Sequence, residues 1–261
     1  MSSQRIGILI VAYNAESTLR SVIQRIPAPI MAKIEEIFVF DDASSDATVT
    51  IGEQLKGESF HGSKLSIYRN EVNQMYGGNQ RVGYQYAMSR GLDIVVLLHG
   101  DGQYAPEVMQ ELLTPLETGL ADMVMGSRML TPGAARRGKM PFYKFIGNKI
   151  LTWTENKLAG SNLSEFHSGY RAYSVNALRQ IPLDTLTTNW HFDTQIILEF
   201  LKRGLRIKEV AIPTYYGDEI CRVNGIPYAM HCVHEALMYA LKHRWRSKPA
   251  SSESDPVASR T

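Results

Sequence analysis

The chain has few of the features that mark several large classes of protein. It contains two cysteines, Cys221 and Cys232, which are too few for a disulfide framework and make no metal-ligand set by their spacing. Its formal net charge of +2 is close to neutral, so the chain is not a general nucleic-acid binder, which would carry a strongly basic stripe. The shortage of cysteine favours a reducing compartment.

Long hydrophobic runs are also missing. No apolar segment reaches the roughly 20 residues that a helix needs to span a bilayer, and residues Met1–Arg5 provide no apolar signal core. We therefore expect a cytoplasmic protein, either soluble or peripheral on the cytosolic face of a membrane. Residues 247–261 are rich in serine, proline and charge, which predicts a disordered tail.

The common glycine-rich phosphate loops are absent. No Gly-x-x-x-x-Gly-Lys-Ser/Thr sequence occurs, and no Gly-x-Gly-x-x-Gly follows the first predicted strand. If the chain binds a nucleotide, it does so without either loop, which argues against a kinase or a simple dehydrogenase.

What is present is an alternation of short aliphatic runs with helical patterns. Ile6–Ala12, Ile37–Phe40 and Ile94–Leu98 are nearly all apolar, as strands buried on both faces should be. The alternation predicts an α/β fold with a mostly parallel central sheet flanked by helices. With 261 residues, 44% of them apolar, the chain suits one large domain, over residues 1–246.

Polar clusters come directly after four of the predicted strands. Ligands of open parallel sheets bind beyond the carboxyl ends of the strands, where such clusters meet. The sequence therefore predicts a binding site at this edge, formed by Tyr13-Asn14, Asp41-Asp42, Asp101 to Gln103 and Ser127-Arg128.

The acidic residues of these clusters allow two interpretations each. Asp41 and Asp42 either cap the next helix or recognise a base or ribose, and recognition is favoured because two carboxylates at a buried strand end need partners. Asp101 is either a turn residue between two glycines or a metal ligand. We favour the metal, with Gln103 as a second oxygen ligand, because divalent cations bind oxygens and neutralise a diphosphate leaving group.

Basic side chains near the same edge are candidates for binding phosphate, because a guanidinium group matches the geometry of phosphate oxygens. They are Arg128, Arg136, Arg137 and Arg171, with a solvated loop as the alternative for Arg136 and Arg137. His99, His167 and His191 also lie near the predicted site segments. A lone histidine is more often structural, so none of the three is assigned as a base.

Six motifs occur in order between Arg5 and Tyr216: Ile10–Asn14, Phe40–Thr48, Asp101–Gln103, Pro106-Glu107, Gly126–Arg128 and Ser168–Arg171. Together they resemble family 2 glycosyltransferases with the GT-A fold, and within that family the dolichyl- and polyprenyl-phosphate sugar synthases. The resemblance implies an inverting transferase that uses a UDP- or GDP-sugar with Mg²⁺ or Mn²⁺. It also implies a nucleotide-sugar-binding half over residues 1–130 and an acceptor half over residues 131–246.

Carried over by position, the resemblance implies individual roles. The nucleotide would contact Tyr13, Asp41, Asp42 and Asp101. The metal and diphosphate would be bound by Asp101 and Gln103. Arg128 and Arg171 would lie near the diphosphate or the acceptor phosphate and would act in catalysis with Asp101.

The sequence departs from the family pattern at three positions. The Asp-x-Asp signature reads His99-Gly100-Asp101, Val11 replaces a usual proline, and Ala15 replaces a common glutamate. The change at His99 predicts either a weakened metal site or a variant donor site, since Asp101 can still bind a cation that the pyrophosphate also ligates.

Two acceptor classes remain open at this stage. An ionised phosphate needs no general base, whereas a sugar hydroxyl does, and His191 and Asp193 are the candidates for one. On these grounds we expect transfer to a polyprenyl phosphate, with a saccharide hydroxyl as the alternative. A nucleotide-sugar-binding protein without catalysis is the alternative from another class, because His99 replaces a carboxylate. A nucleotidyltransferase fits less well, since its phosphate loop is absent near the first strand.

Residues Pro141–Ala159 form a helical pattern that mixes aromatic, aliphatic and lysine residues. Such a helix either lies in a membrane interface or packs on the core with an exposed basic face. If the acceptor is a lipid phosphate, the protein must reach it from the cytosolic side or dock on a membrane partner protein or a second copy of itself. Arg136, Arg137, His167, His191 and Asp193 are the candidates for the acceptor side.

Overall fold

The computed structural model describes residues 4–58, 62–213 and 224–244. Its strands form one sheet in the order β3-β2-β1-β4-β6-β5-β7. The strands are β1 Ile6–Ala12, β2 Glu36–Asp41, β3 Leu65–Arg69, β4 Ile94–His99, β5 Met123–Ser127, β6 Arg171–Ser174 and β7 Ile207–Ala211. The predicted tail over residues 247–261 lies outside the described residues.

The sheet is parallel except at one strand. β2, β1 and β4 are parallel neighbours, as are β5 and β7. β6 lies between β4 and β5 and is antiparallel to both. The predicted α/β class with a mostly parallel sheet is therefore confirmed, and the antiparallel insertion is an addition. The sequence did not indicate β6, because it has only four residues and begins with a charged one.

Helices cover both faces of the sheet. The α-helices are α1 Leu19–Gln24, α2 Ala28–Lys33, α3 Thr48–Glu58, α4 Met75–Ser89, α5 Met109–Glu117, α6 Ala134–Arg137, α7 Phe142–Ala159, α8 Val175–Leu178, α9 Phe192–Lys202 and α10 Gly225–Tyr239. Short 3₁₀ turns occupy Gly62–Lys64, Pro106–Val108 and Leu183–Thr185, and a π-helical segment, Ala240–Arg244, follows α10.

The apolar core has two layers, one on each face of the sheet. Successive residues of β1 point to opposite layers, so Ile8 and Ile10 pack in one and Leu9 in the other, all fully buried. This double burial explains why β1 is nearly all aliphatic. Gly91, Gly119 and Gly204 follow α4, α5 and α9, and each has the positive φ that is typical of a helix stop.

Helix α4 begins at Met75. The backbone N–H groups of Gly77 and Gly78 donate to the carbonyl of Thr188, which anchors the first turn of the helix. Gly77 has no space for a side chain, because a Cβ there would lie 2.5 Å from Cβ of Phe192. Tertiary packing rather than local propensity therefore sets the start of α4.

Helices α7 and α10 pack against each other. Both expose large apolar side chains: Phe142, Tyr143, Ile146, Ile150 and Trp153 on α7, and Ile226, Met230 and Leu237 on α10, with Leu241 just beyond it. Within the described ranges, no helix has both the length and the apolar character to cross a bilayer.

Candidate active site

The polar clusters predicted at strand ends share one edge of the sheet. Tyr13 follows β1, Asp42 follows β2 and Asp101 lies two residues beyond β4, and these three strands are parallel neighbours. The loops that carry them are tied together, since Gly100 N donates to Val11 O and Asp42 N donates to Ala12 O. The topology therefore brings Tyr13, Asp42 and Asp101 to one edge of the sheet.

The first two loops hold unusual backbone conformations. Asn14 and Ala43 have φ values of 49° and 59°, a region that residues with a Cβ adopt at a cost. Asn14 is held by hydrogen bonds with Ser44 and Ser45 at 2.8 and 3.0 Å. Strain retained by such cross-bonds is typical of ligand-binding loops.

Asp41 is fully buried at the end of β2. Its Oδ2 accepts a hydrogen bond from Ser44 N at 3.0 Å and lies 3.8 Å from Nε of Arg69. Its Oδ1 has no hydrogen-bond partner within the described part of the chain. A buried acceptor without a donor is costly unless a ligand supplies one, and the imide N–H of a nucleobase is such a donor.

Asp42 is also buried, and its partners come from the loop before α4. Its Oδ1 accepts from Asn70 Nδ2 at 2.8 Å and from Gln74 N at 2.7 Å. Burial raises the pKa of Asp42, although these hydrogen bonds act in the opposite direction. The capping interpretation does not describe either acid, because Asp42 anchors a distant loop and Asp41 retains an unpaired oxygen.

Asp101 lies exposed at the edge, in the loop that contains Gly102 at a φ of 77°. Its Oδ1 accepts from Gln103 N at 3.0 Å, so it does form the turn that the sequence allowed. A divalent cation bound to a nucleotide diphosphate needs one or two protein carboxylates, because phosphates and water fill the other positions. An exposed carboxylate in a glycine-containing loop fits that group.

His99 lies just behind Asp101, and its environment is largely aromatic. Its ring is 5.6 Å from that of Tyr76 and 5.2 Å from that of Tyr104, both edge to face. A Cβ on Gly169 would come within 2.7 Å of its Nε2, a nitrogen without a hydrogen-bond partner among the residues described. Burial lowers the pKa of His99, so a neutral imidazole with one free nitrogen replaces the usual carboxylate.

Asp193 is buried at the start of α9 and belongs to a network that the sequence did not predict. Its Oδ2 accepts from the Tyr76 hydroxyl at 2.7 Å, and Gln80 Nε2 lies 3.4 Å from its Oδ1. The Tyr76 ring stacks on Trp190 at 4.5 Å. The Gly77-Gly78 pair was the available signal for this network, because the close approach it permits brings Tyr76 to Asp193.

Arg171 differs most from its predicted position. It is fully buried, and its guanidinium donates to the carbonyls of Phe166, Ser168 and Asp193 at 2.8 to 3.0 Å. The same group lies 3.5 Å from Oδ1 of Asp193. This corrects the expectation that Arg171 contacts a phosphate, because its donors are directed at the protein backbone inside the acceptor half.

Arg128 directly follows β5, and its side chain is bound by a buried acid, Glu165. Its Nε donates to Glu165 Oε1 at 2.9 Å, its Nη2 forms a shorter bond with the same oxygen, and its backbone N donates to Oε2. Burial works against ionisation of Glu165, but Arg128 prevails and lowers the pKa of that acid. Arg128 is therefore held rigidly, with 13% of its side chain exposed.

The other acceptor-side candidates separate into two groups. Arg136 and Arg137 are exposed on α6, and the Arg136 guanidinium lies 5.4 Å from the ring of Phe142 at the start of α7. His167 and His191 are largely buried instead: His167 contacts Glu155, and His191 stacks on His231 at 4.7 Å. The structure thus brings the arginines, but not the histidines, to the surface beside α7.

Comparison with known proteins bears on this geometry. The model of Glycosyl transferase family 2 matches residues 7–181, a range that runs from β1 to β6 and includes Tyr13, Asp42 and Asp101. The chain belongs to glycosyl transferase family 2. It is therefore a glycosyltransferase, and the sheet is that of the GT-A fold, as the resemblance predicted.

Two curated relatives cover most of the chain. One is the UDP-N-acetylglucosamine–dolichyl-phosphate N-acetylglucosaminyltransferase of Methanococcus voltae, 28% identical over 84% of this chain and 88% of that protein. Another is the undecaprenyl-phosphate mannosyltransferase of Micrococcus luteus, 29% identical over 80% and 82%. The predicted likeness to polyprenyl-phosphate sugar synthases is confirmed.

A solved structure supports the fold assignment. Glucosyl-3-phosphoglycerate synthase from Mycobacterium tuberculosis, in complex with Mn²⁺, UDP and glucosyl-3-phosphoglycerate, matches with a TM-score of 0.65. It covers 92% of this chain and 81% of that one at 18% identity. At that identity the likeness establishes the shared fold.

Proposed function

We propose that this glycosyltransferase moves a sugar, with inversion, from a UDP- or GDP-sugar to a polyprenyl phosphate. The observation that carries the proposal is the position of the two exposed arginines, Arg136 and Arg137, directly before a helix with an exposed apolar face. A lipid phosphate has a charged head and an apolar chain, and this surface offers partners to both.

The donor would bind at the carboxyl edge of β1, β2 and β4. Asp41 would accept a hydrogen bond from the base through its Oδ1, and the exposed ring of Tyr13 would stack on the base. Asp101, with Gln103, would hold a Mg²⁺ or Mn²⁺ ion together with the diphosphate. The ion supplies charge neutralisation to the leaving diphosphate.

The choice of acceptor follows from the surroundings of the two candidate bases, Asp193 and His191. Asp193 is buried and engaged by Tyr76, Gln80 and Arg171. His191 is stacked on His231, and burial lowers its pKa. A phosphate attacks as an anion and needs no proton removed, so this site suits a phosphate better than a hydroxyl. The phosphate acceptors named for the two curated relatives agree with this choice.

The site also suggests how a lipid would be reached. Helices α7 and α10 would lie on the membrane with their apolar side chains among the lipids, and Lys144 and Lys149 of α7 would face anionic head groups. Arg136 and Arg137 would then meet the acceptor phosphate at the level of the head groups. The membrane contact is therefore peripheral.

The test is a transfer assay with purified protein. Labelled UDP- and GDP-sugars are offered with undecaprenyl phosphate or with a panel of free and lipid-linked saccharides, in Mn²⁺, in Mg²⁺ or in EDTA. We expect metal-dependent transfer to the lipid phosphate, with an inverted anomeric configuration in the product by NMR. Transfer only to a saccharide hydroxyl would reject the acceptor, and metal-independent donor binding without transfer would indicate a non-catalytic binder.

A further inference from the structure

Three potential metal ligands meet in the interior of the acceptor half. Glu155 is on α7, His167 lies before β6 and Cys232 is on α10. One ligand atom from each lies within 4.8 Å of the others. Glu155 and Cys232 are fully buried, and the His167 side chain is 9% exposed. The cluster is separate from Asp101 and has no part in the donor site described above.

Two atoms of this cluster lack the bonds that burial demands. Glu155 Oε2 and His167 Nε2 lie 3.0 Å apart, yet neither has a hydrogen-bond partner among the described residues, because their relative orientation makes no bond. The other nitrogen of the ring, Nδ1, lies 2.9 Å from the Tyr228 hydroxyl. If that nitrogen carries the proton, two lone pairs face each other, which is unfavourable without a cation between them.

The surrounding residues have the arrangement of outer-shell partners. Thr194 Oγ1 lies 3.0 Å from Glu155 Oε1 and 3.3 Å from Cys232 Sγ. A hydrogen bond from the second ring nitrogen of a ligating histidine fixes its tautomer, and the Tyr228 hydroxyl is positioned to receive one. Each of the three ligand residues thus has an oriented neighbour, which contacts Oε1 of Glu155, Nδ1 of His167 and Sγ of Cys232.

We propose that Glu155, His167 and Cys232 bind a zinc ion that joins α7 and α10 to the interior of the acceptor half. Thiolate, imidazole and carboxylate are the ligands zinc takes in proteins, and its bonds to nitrogen and oxygen are about 2.0 to 2.2 Å. Ligand atoms around such an ion lie roughly 3.3 Å apart, close to the separation of Oε2 and Nε2. The soft thiolate sets the site apart from the all-oxygen donor site.

Binding would release a proton. Coordination of the cation expels that proton and leaves a thiolate–zinc bond. The ion would stabilise the pair of helices whose outer faces are apolar, because its ligands come from both helices and from the segment that precedes β6.

Metal content gives the first test. The protein is stripped with a chelator, loaded with Zn²⁺ and desalted, and we expect close to one zinc per chain and a melting temperature raised by about 5 °C or more. A chain that retains no zinc and shows no shift would overturn the proposal, and the cluster would then be a buried polar network only. Mn²⁺ alone should give no comparable shift, since it prefers oxygen ligands.

Cobalt gives the second test, because thiolate-bound Co²⁺ shows a near-ultraviolet charge-transfer band. We expect the band in the wild-type protein and in Cys221→Ser, the matched control at the other cysteine, but not in Cys232→Ser. A band lost in Cys221→Ser and kept in Cys232→Ser would overturn the assignment. Glu155→Gln and His167→Gln should each weaken zinc binding at least tenfold, and their circular dichroism checks the fold.

Neither readout uses sugar transfer. The zinc site can therefore fail while the proposed function stands, and the reverse also holds.

Discussion

The proposed donor edge of the sheet, at the carboxyl ends of β1, β2 and β4, and the region around α7 and α10 place polar and apolar groups in opposite ways. At the proposed donor edge the strands are mostly apolar, and the acids that face the edge lie at the strand ends or just after them. In the region around α7 and α10, charged side chains are inside, among them Glu155, Glu165, Arg171 and Asp193. Large apolar side chains of α7, such as Ile150 and Trp153, are outside.

This difference reflects two ways of forming a site. A parallel sheet delivers functional side chains through its strand ends, so the donor site needs no buried charge apart from Asp41 and Asp42. The region around α7 and α10 instead keeps its helices and loops in place with buried ion pairs, which stabilise a fold only when every charge is matched. Its exposed apolar surface marks a region that meets another apolar phase.

The largest effect should come from the exposed acid at the donor edge. Asp101→Asn should lower turnover on the order of 10³-fold, because the metal that neutralises the leaving diphosphate loses its carboxylate. Since Asp101 is exposed, the melting temperature should stay unchanged. Steady-state kinetics in Mn²⁺ measure the loss, and Asp184→Asn is the control, an exposed acid in the turn that precedes α9. Normal turnover in Asp101→Asn would place the metal elsewhere.

A buried arginine should behave in the opposite way, by changing stability first. Arg171→Met should lower the free energy of unfolding by about 3–5 kcal/mol, because Asp193 and three carbonyls lose their donor. Arg206→Met removes an exposed, solvent-screened ion pair with Asp122 and should have a much smaller effect. Urea denaturation compares the two. Unchanged stability in Arg171→Met, together with a raised KM for the acceptor, would restore the phosphate role implied by the family resemblance.

The same contrast explains what could be predicted from the sequence. The strands, their parallel order and the edge that holds Tyr13, Asp42 and Asp101 followed from aliphatic runs and the polar residues after them. In a buried parallel strand the pattern is strong, and the topology leaves one place for a ligand. Local sequence patterns were therefore enough to predict these strands and this edge of the sheet.

Local sequence patterns predicted less about the region around α7 and α10. The partners of Arg171 and Asp193 come from α4 and from the segment around Ser168, and no local pattern encodes such pairings. Glu155, His167 and Cys232 are likewise separated by 12 to 65 residues, so no metal-ligand spacing is visible. The exposed face of α7 could not be told from a core face, because periodicity shows that a helix has an apolar side but not what covers it.

Membrane contact tests the apolar surface directly. Ile150→Ser and Trp153→Ser should each weaken binding to anionic liposomes about tenfold, through lost burial of apolar area. These side chains are 61% and 63% exposed in the free protein, so the melting temperature should hardly move. Leu120→Ser is the matched control, since Leu120 is 61% exposed but lies outside α7 and α10. Liposome binding is measured by vesicle sedimentation. If the two variants bind liposomes as well as this control does, the proposed membrane contact is rejected.

The smallest effect concerns pH and lies where the two regions meet. His99 is half-buried behind Asp101, and its partial removal from water lowers its pKa even though Asp101 and Asp193 favour the charged form. A depressed folded-state pKa means that the neutral ring stabilises the fold above the unfolded value of about 6.5, and that this stability is lost as the pH falls further. Urea denaturation from about pH 7.5 to about pH 5.5 should show a decline of the order of 1 kcal/mol. His99→Gln cannot take up the proton and should reduce that decline, whereas His234→Gln, at an exposed position on α10, should leave it intact. An identical decline in all three proteins would mean that the pKa of His99 is the same in the folded and unfolded states, and that burial does not hold the ring neutral beside the proposed metal ligand.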